Sequence, residues 1–493
     1  MKSVLAIESS GNQAFVYRSN KLREAIGASE ILSRIGTTWL DESRQEFPNV
    51  EVVVGTSAKA ILLGDESDLR ALLRKLTTKA LVEGPGLDLV GGIAEVRDEN
   101  FFAAVREAFQ VLAQNRAYLN GPESRFPRLP IVASCQSTGL PAQHLGKRKT
   151  LVSSEVEQKI KHAESGIARQ RVSGVKETIF RNLDELEKFG ADSSWVAVVH
   201  ADGNGLGQLF LNFDQHLAAI GRSEINAQVE PAADAYRKFS QAVEKCTREA
   251  YESAVRYVSD IEGRNGLVPV LIGGDDITAV VTGDIALAFT EKYCREFGEI
   301  CASNNELKNL GVVNLSASAS IVWTKPHYPY WSSYDHASEL LDAAKTEGRR
   351  LATDGRAVSS LLDIHVVYDS SSSGVNDGIS RGQKLRGGPY IFDATQNELD
   401  LWSLSDLLDC VGLVQELSGS AIHSVRDQLT TYGSDAARAR IDEISQGSKD
   451  EKKWARLKQY IPTKSEKKSV LLITAMELER IVDRSSSFIR GAV

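Results

Sequence analysis

Thiols are scarce in this chain of 493 residues: it has five cysteines, Cys135, Cys246, Cys294, Cys301 and Cys410, and no CxxC pair among them. That scarcity argues against both a disulfide framework and a tetrathiolate zinc site. No uncharged apolar run approaches the ~20 residues that a helix needs to span a bilayer, and Met1-Lys2-Ser3-Val4 leads straight into strand composition. The expectation is a cytoplasmic protein with no membrane contact. Net positive charge is missing too. A formal charge of −8 requires that any nucleic-acid contact be local or shared with other subunits. A GxxxxGK[ST] phosphate loop is absent, which disfavours a P-loop ATPase. What remains is an ordinary globular composition, 42% hydrophobic and 25% charged, with length for roughly two to four domains.

One stretch organises the rest: Leu271-Ile272-Gly273-Gly274-Asp275-Asp276-Ile277-Thr278-Ala279-Val280. Residues 268–272 and 277–281 have strand composition, and Gly273-Gly274 permit a turn with positive φ, so the pattern predicts a hairpin with an acidic tip. Adjacent carboxylates on a tight turn repel each other unless a cation sits between them. Mg²⁺, or Mn²⁺ in its place, is the hard, oxygen-seeking candidate. Upstream, residues 195–201 read as a buried strand delivering Asp202 into the turn Gly203-Asn204-Gly205-Leu206-Gly207. Glycines without Cβ would let backbone N–H groups approach a triphosphate, at Gly203, Asn204 and Gly205 and at Gly273 and Gly274. Either stretch alone reads better as a solvated Asp-Gly turn. Together, about 70 residues apart, they suit a two-metal clamp for phosphoryl or nucleotidyl transfer, with Asp202, Asp275 and Asp276 as both metal-binding and catalytic residues.

This order, strand-Asp-glycine turn, long helix, then a GGDD hairpin, resembles the palm domain shared by GGDEF-type cyclases and the large subunit of type III CRISPR effectors, the cyclic-oligoadenylate synthetase. GGDD is the CRISPR form. Ala344-Lys345-Thr346-Glu347-Gly348-Arg349 resembles the family's Ala-Lys-x-x-Gly-Arg segment, which implies that Lys345, with Arg349, meets nucleotide phosphates; an exposed helix end is the plainer alternative. Asn20-Lys21-Leu22-Arg23, continuing to Gly27-Ala28-Ser29, is similar to the Asn-x-Leu-Arg-x-x-x-Gly-Ala-Ser helix of the first palm in the Cmr-type branch. Asn20 and Arg23 are candidates for contacts to an acceptor nucleotide, with capping or packing as the other reading. The chain has no HD dipeptide and no room for the family's N-terminal nuclease, so no DNase activity is expected. Cys135-Gln136-Ser137-Thr138-Gly139-Leu140-Pro141-Ala142 resembles the family's zinc knuckle with Thr138 where the second cysteine belongs. A single thiolate cannot make a structural tetrahedral site, so no zinc is expected.

The expected fold class is α+β: two ferredoxin-like βαββαβ palms, a linker carrying the degenerate knuckle, and a C-terminal helical bundle. The boundaries are 1–120 for a first, non-catalytic palm, 121–190 for the linker, 191–370 for the second, GGDD palm, and 371–493 for the helical domain. Residues 3–7 and 14–17 read as strands around a Ser9-Ser10-Gly11-Asn12 turn, and residues 50–54 and 58–63 as a hairpin tipped by Gly55-Thr56-Ser57, without a carboxylate. Residues 362–368 read as the closing strand of the second palm. Tyr328, Tyr330 and Trp331 would stack on a base or pack against that palm. A polar Ser370–Gly374 run reads as a flexible connection, and Arg386-Gly387-Gly388-Pro389-Tyr390 is similar to a Cmr-type segment.

The resemblance implies a nucleotidyltransferase that makes cyclic oligoadenylate from ATP with two Mg²⁺ ions, in CRISPR or related antiviral defence. Other CRISPR effector subunits and guide or target RNA are the implied partners. Two alternatives stay open: a non-catalytic, nucleotide-binding scaffold subunit of a CRISPR ribonucleoprotein, and a diguanylate-type cyclase. Base choice, ring size, activating signal and oligomeric state are not written in the residues.

Overall fold

The computed structural model describes residues 2–19, 21–126, 129–146, 149–175, 195–260, 266–352, 358–368, 387–392, 400–446, 448–463, 470–479 and 481. Asn20, Lys147-Arg148, the 370–374 run and Arg386 fall outside the described residues. The N-terminal unit is built from β1 (Lys2–Ser10), α1 (Leu22–Ile35), β2 (Glu51–Thr56), β3 (Lys59–Asp65), α2 (Glu66–Glu83), β4 (Asp88–Glu95) and α3 (Phe101–Ala117). Its sheet is antiparallel throughout, in the order β2-β3-β1-β4. Strand periodicity explains how one short segment serves two layers. Val4 and Ala6 of β1 enter one apolar cluster, and Leu5 and Ile7 enter another on the opposite face.

A strand was expected at residues 14–17, and the structure has a short helix, Asn12–Tyr17, instead. Gly11 adopts φ 68°, and its carbonyl accepts from Phe15 N–H at 2.8 Å, so the chain turns into a helix as soon as β1 ends. Phe15, Val16 and Tyr17 are consecutive and all buried, which is why composition alone suggests a strand.

α4 (Ser154–Arg169), capped by Ser153, lies along α1. The approach is close enough that a Cβ on Gly27 would collide with the Lys159 backbone. Between α3 and α4, the turn at Cys135 is closed by Cys135 N–H to the Leu140 carbonyl at 2.7 Å. The Thr138 hydroxyl lies 3.3 Å from that of Ser153.

The central unit contains β5 (Val196–Gly203), α5 (Val229–Ser259), β6 (Leu267–Gly273), β7 (Asp276–Thr282), α6 (Ala286–Ser303), β8 (Ala317–Thr324), α7 (Tyr330–Leu351), β9 (Leu361–Val366) and β10 (Tyr390–Ile391). The sheet order is β10-β9-β8-β5-β7-β6. Its four strands β8-β5-β7-β6 repeat the N-terminal order, antiparallel throughout. The segment expected to close that sheet is instead a fifth strand, β9, parallel to β8. A parallel neighbour requires a crossover, and α7 supplies it. α5 buries Ala232, Tyr236, Phe239, Val243, Cys246 and Ala250 at helical spacing against the sheet.

The C-terminal helices are α8 (Leu404–Glu416), α9 (Gly419–Tyr432), α10 (Ser434–Ser445), α11 (Glu451–Gln459) and α12 (Leu472–Leu478). α8 opens with a capping box between Ser403 and Asp406. Leu407, Val411, Leu457 and Leu472 join the cluster that also holds Ala197 and Val199 of β5 and Val4 and Ala6 of β1. The second cluster likewise unites Leu5 and Ile7 with Val196, Val198 and Val268. Apolar layers shared by both sheets bring the tips of the β2-β3 and β6-β7 hairpins together.

Candidate functional site: an acidic turn facing a second hairpin

Three carboxylates gather where β5 meets the β6-β7 hairpin. Asp202 stands opposite Asp276 in the β5-β7 register, and Gly274, at φ 64°, turns the chain between Gly273 and Asp276. Gly203 N–H donates to the Asp275 carbonyl at 3.2 Å, fastening one acidic turn to the other. Glycine at 203 leaves room for its neighbours, because a Cβ there would displace the Leu206 side chain and stand 3.0 Å from Asp275 Oδ2.

Charge crowding shows in the protonation of these acids. Burial first, then the Asp202 carboxylate hydrogen-bonded to it, then Asp276, push the Asp275 carboxyl up to about 8. Asp276 Oδ1 is buried and accepts no hydrogen bond; His200 Nδ1 lies 3.3 Å from it at ion-pair distance. Burial by itself would lower the His200 imidazole. The Asp276 carboxylate and the Ile277 carbonyl outweigh that effect and hold it above its ordinary value. Lys345 of α7 donates to Asp202 Oδ2 and, at 2.9 Å, to the Gly203 carbonyl.

Among the described residues no three acidic, histidine or cysteine side chains already form a metal cluster. The donor set still fits a hard divalent cation. It is all oxygen, it contains an orphaned buried carboxylate oxygen, and it already draws one ammonium onto Asp202. Asp202, Asp275 and Asp276 are the residues that would hold such an ion.

Other expected site residues are placed differently. The Asn204 side chain donates to the Ser316 hydroxyl at 2.9 Å and accepts from that of Ser318 at 2.9 Å. Its backbone N–H donates to the Ser316 carbonyl at 2.8 Å. The amides of Gly203 and Asn204 are thus committed to the fold and do not stand open to phosphate. Gly205, at φ 71°, starts the short helix Leu206–Leu211. Arg349 is exposed and donates to Thr346 Oγ1 at 3.1 Å. The Arg23 guanidinium reaches Glu164 of α4 at 3.1 Å, and Arg23 is not among the residues that line the cleft. Tyr330 is buried edge-on to Tyr17, with ring centroids 5.6 Å apart.

The acids open onto a cleft of about 540 Å³ between the two units. Asp202, Asp275, Asp276 and Tyr334 line it from one side, and Asn12, Gln13, Tyr17, Ser57 and Lys59 from the other. Tyr17 and Tyr334 stack across it with centroids 3.8 Å apart, and Gln13 Nε2 donates to the Tyr334 hydroxyl at 3.2 Å. Beyond the hairpin tips a second compartment of about 360 Å³ has a largely apolar wall, with Phe102, Phe109, Phe210 and Tyr236. Glu8, Thr56, Lys59, Gly274 and Asp275 border both compartments. Sequence reasoning missed Glu8, Lys59, His200 and Tyr334. Only the hairpin register of the N-terminal unit could have pointed to the first two.

Residues 195–353 match the family described as Cas10/Cmr2, second palm domain. No curated protein matches the chain. Among solved structures, a Csm1-Csm4 cassette in complex with AMPPNP is similar at 14% identity and a TM-score of 0.53, over 97% of this chain and 69% of that one. A Csm1-Csm4 cassette in complex with cA4 is similar at 15% identity and a TM-score of 0.53, over 97% and 70%. A third, in complex with pppApA, has 17% identity and a TM-score of 0.45 over 70% of this chain and 53% of that one, so the chain spans about half of that relative's length. At such identities the likeness is one of fold. Among the described residues no helix is long and apolar enough to cross a membrane.

Proposed function

We propose that the chain is a nucleotidyltransferase that joins ATP into 3′–5′ linked cyclic oligoadenylate in the cleft between two ferredoxin-like palms. The observation that carries this reading is the cluster of Asp202 with Asp275 and Asp276 at one hairpin, facing across a nucleotide-sized cleft a hairpin whose tip, Thr56-Ser57-Ala58, has no carboxylate. Joining two nucleotides requires one triphosphate at the acids and a second nucleotide presenting its 3′-hydroxyl in line, so two facing sites are needed. Both sides are supplied here by one chain.

Mg²⁺ held by Asp202, Asp275 and Asp276 would lower the pKa of the 3′-hydroxyl and neutralise the triphosphate and departing pyrophosphate. Lys345, which rests on Asp202, would turn to a phosphate oxygen when a triphosphate is bound. The apolar wall with Phe102, Phe109, Phe210 and Tyr236 suits the face of a base. The stacked Tyr17–Tyr334 pair fixes one palm against the other, and with it the distance between the two nucleotides.

The family match of residues 195–353 supports the reading. So does the fold shared with Csm1-Csm4 cassettes that are in complex with AMPPNP, cA3 and cA4. From those Csm1-Csm4 cassettes we carry over, as part of the proposal, a type III CRISPR setting. Other effector subunits are the expected partners, with guide or target RNA reached through them. The adenine base is carried over from the same resemblance.

The test is mass spectrometry of products after the purified chain is incubated with each NTP and Mg²⁺ or Mn²⁺. Cyclic products from ATP are expected. Cyclic products from GTP only, or linear products alone, would refute the reading. Nucleotide binding without turnover would favour the scaffold alternative.

A further inference from the structure

We propose that Lys59 makes the N-terminal half of the cleft an anion site, which takes the phosphates of the second nucleotide, the one that presents its 3′-hydroxyl. This rests on the reading of the cleft as a site of nucleotidyl transfer, and it assigns the group that holds the acceptor.

The inference comes from laying one sheet's register over the other. In the central unit Asp202 of β5 stands opposite Asp276 of β7, and Gly273 pairs with Asp276 to close the turn. In the N-terminal unit Glu8 of β1 stands opposite Lys59 of β3, and Thr56 pairs with Lys59 to close the turn. Position by position, Glu8 corresponds to Asp202, Ser57 to Gly274, Ala58 to Asp275 and Lys59 to Asp276. The helices repeat the correspondence. Arg116 of α3 donates to Glu8 at 2.6 Å, as Lys345 of α7 donates to Asp202. The two halves share one frame, and a single position carries opposite charge in each.

That reversal changes what each half attracts. Four acids, Asp202, Asp275, Asp276 and Asp342, against Lys345 and His200 leave the central half negative, suited to cations. In the N-terminal half the one frame carboxylate, Glu8, is already neutralised by Arg116. Among the described residues no carboxylate lies within ion-pair distance of the Lys59 ammonium. It rests over the Phe109 ring, 4.7 Å from the centroid, on the border shared by both compartments and beside Asp275. A cation on a flexible stem at the wall of a cleft, with no ion-pair partner among the described residues, is a ready partner for phosphate oxygens. The Thr56 and Ser57 side chains stand beside it on the same tip.

Calorimetric titration of the full chain with the α,β-methylene analogue of ATP, whose scissile α–β bond is blocked, in Mg²⁺ tests this. The intact protein is expected to bind two equivalents. Lys59→Met should weaken one of them by about 10- to 100-fold, the worth of a hydrogen bond to a charged group, and leave the other unchanged. Lys59→Arg should restore two. Binding of a single equivalent by the intact protein, two equivalents of unchanged affinity in Lys59→Met, or loss of both in that variant would each overturn the assignment. Two equivalents in the intact protein with no product from any NTP would sink the proposed chemistry while leaving the anion site in place.

Discussion

Ser57 of the N-terminal hairpin lies against Gly273 of the acidic one, its Cβ 3.0 Å from where a side chain on Gly273 would begin. The tips of two hairpins far apart in sequence therefore meet with room for glycine on one side only. Gly273→Ala should push the tips apart and misplace the two nucleotides, lowering turnover about 10-fold or more without unfolding the chain, since small displacements at a reacting centre are costly. Adding Ser57→Gly should recover most of the loss. Turnover measured across this double-mutant cycle checks the coupling; additive effects would show that the tips do not act on each other.

Asp275→Ala with Asp276→Ala should abolish pyrophosphate release and leave the thermal midpoint equal to or above that of the parent chain. The reason is electrostatic: burial first, and then crowding by Asp202 and Asp276, hold the Asp275 carboxyl near 8, so the charged acids are costly without a cation. Wild-type turnover in the double variant would place the metal elsewhere.

Lys345→Met should reduce turnover strongly, and Arg349→Ala only a few-fold. Lys345 reaches Asp202 and the Gly203 carbonyl, whereas Arg349 is exposed beside Thr346. Steady-state kinetics on both variants decides this, and equal losses would contradict the geometry.

Asn204→Ala is expected to act on stability. Its amide joins Ser316 and Ser318, and Ser318 is fully buried, so truncation strands buried polar groups at about 1–3 kcal/mol. Urea denaturation should show that loss. An unchanged midpoint with weakened nucleotide binding would return Asn204 to the phosphate role.

Glu155 of α4 is fully buried between Lys159 at 2.6 Å and Arg18 at 2.7 Å, and the Lys159 ammonium also donates to the Phe15 carbonyl. Glu155→Ala leaves buried positive charge uncompensated and should cost about 3–5 kcal/mol. Burial holds Lys159 below its ordinary value of 10.5 despite Glu155. Between that lowered value and 10.5 the unfolded chain binds more protons than the folded one, so stability rises with pH there and is flat below. Lys159→Met should remove this rise, as urea midpoints across the alkaline range would show. An identical rise in the variant would assign it to another group.

Local chemistry in the sequence determined a good deal. Gly273-Gly274 between apolar runs of strand composition specified a hairpin, and two acids followed it. Those are short-range matters of φ, ψ and side-chain alternation, so one stretch of residues suffices to read them. The helix at residues 12–17 escaped that reading because three consecutive buried residues look alike in a strand and in a short helix, and burial by the rest of the chain decided between them. Asn204 and Arg23 escaped for a related reason: each side chain's partner, Ser318 or Glu164, is more than a hundred residues away, and a polar residue's role depends on who satisfies it. Only the tertiary structure set Lys59 in the position of Asp276. The two carry opposite charge and share no motif, and it is strand register, fixed by packing both faces of each sheet, that makes them counterparts.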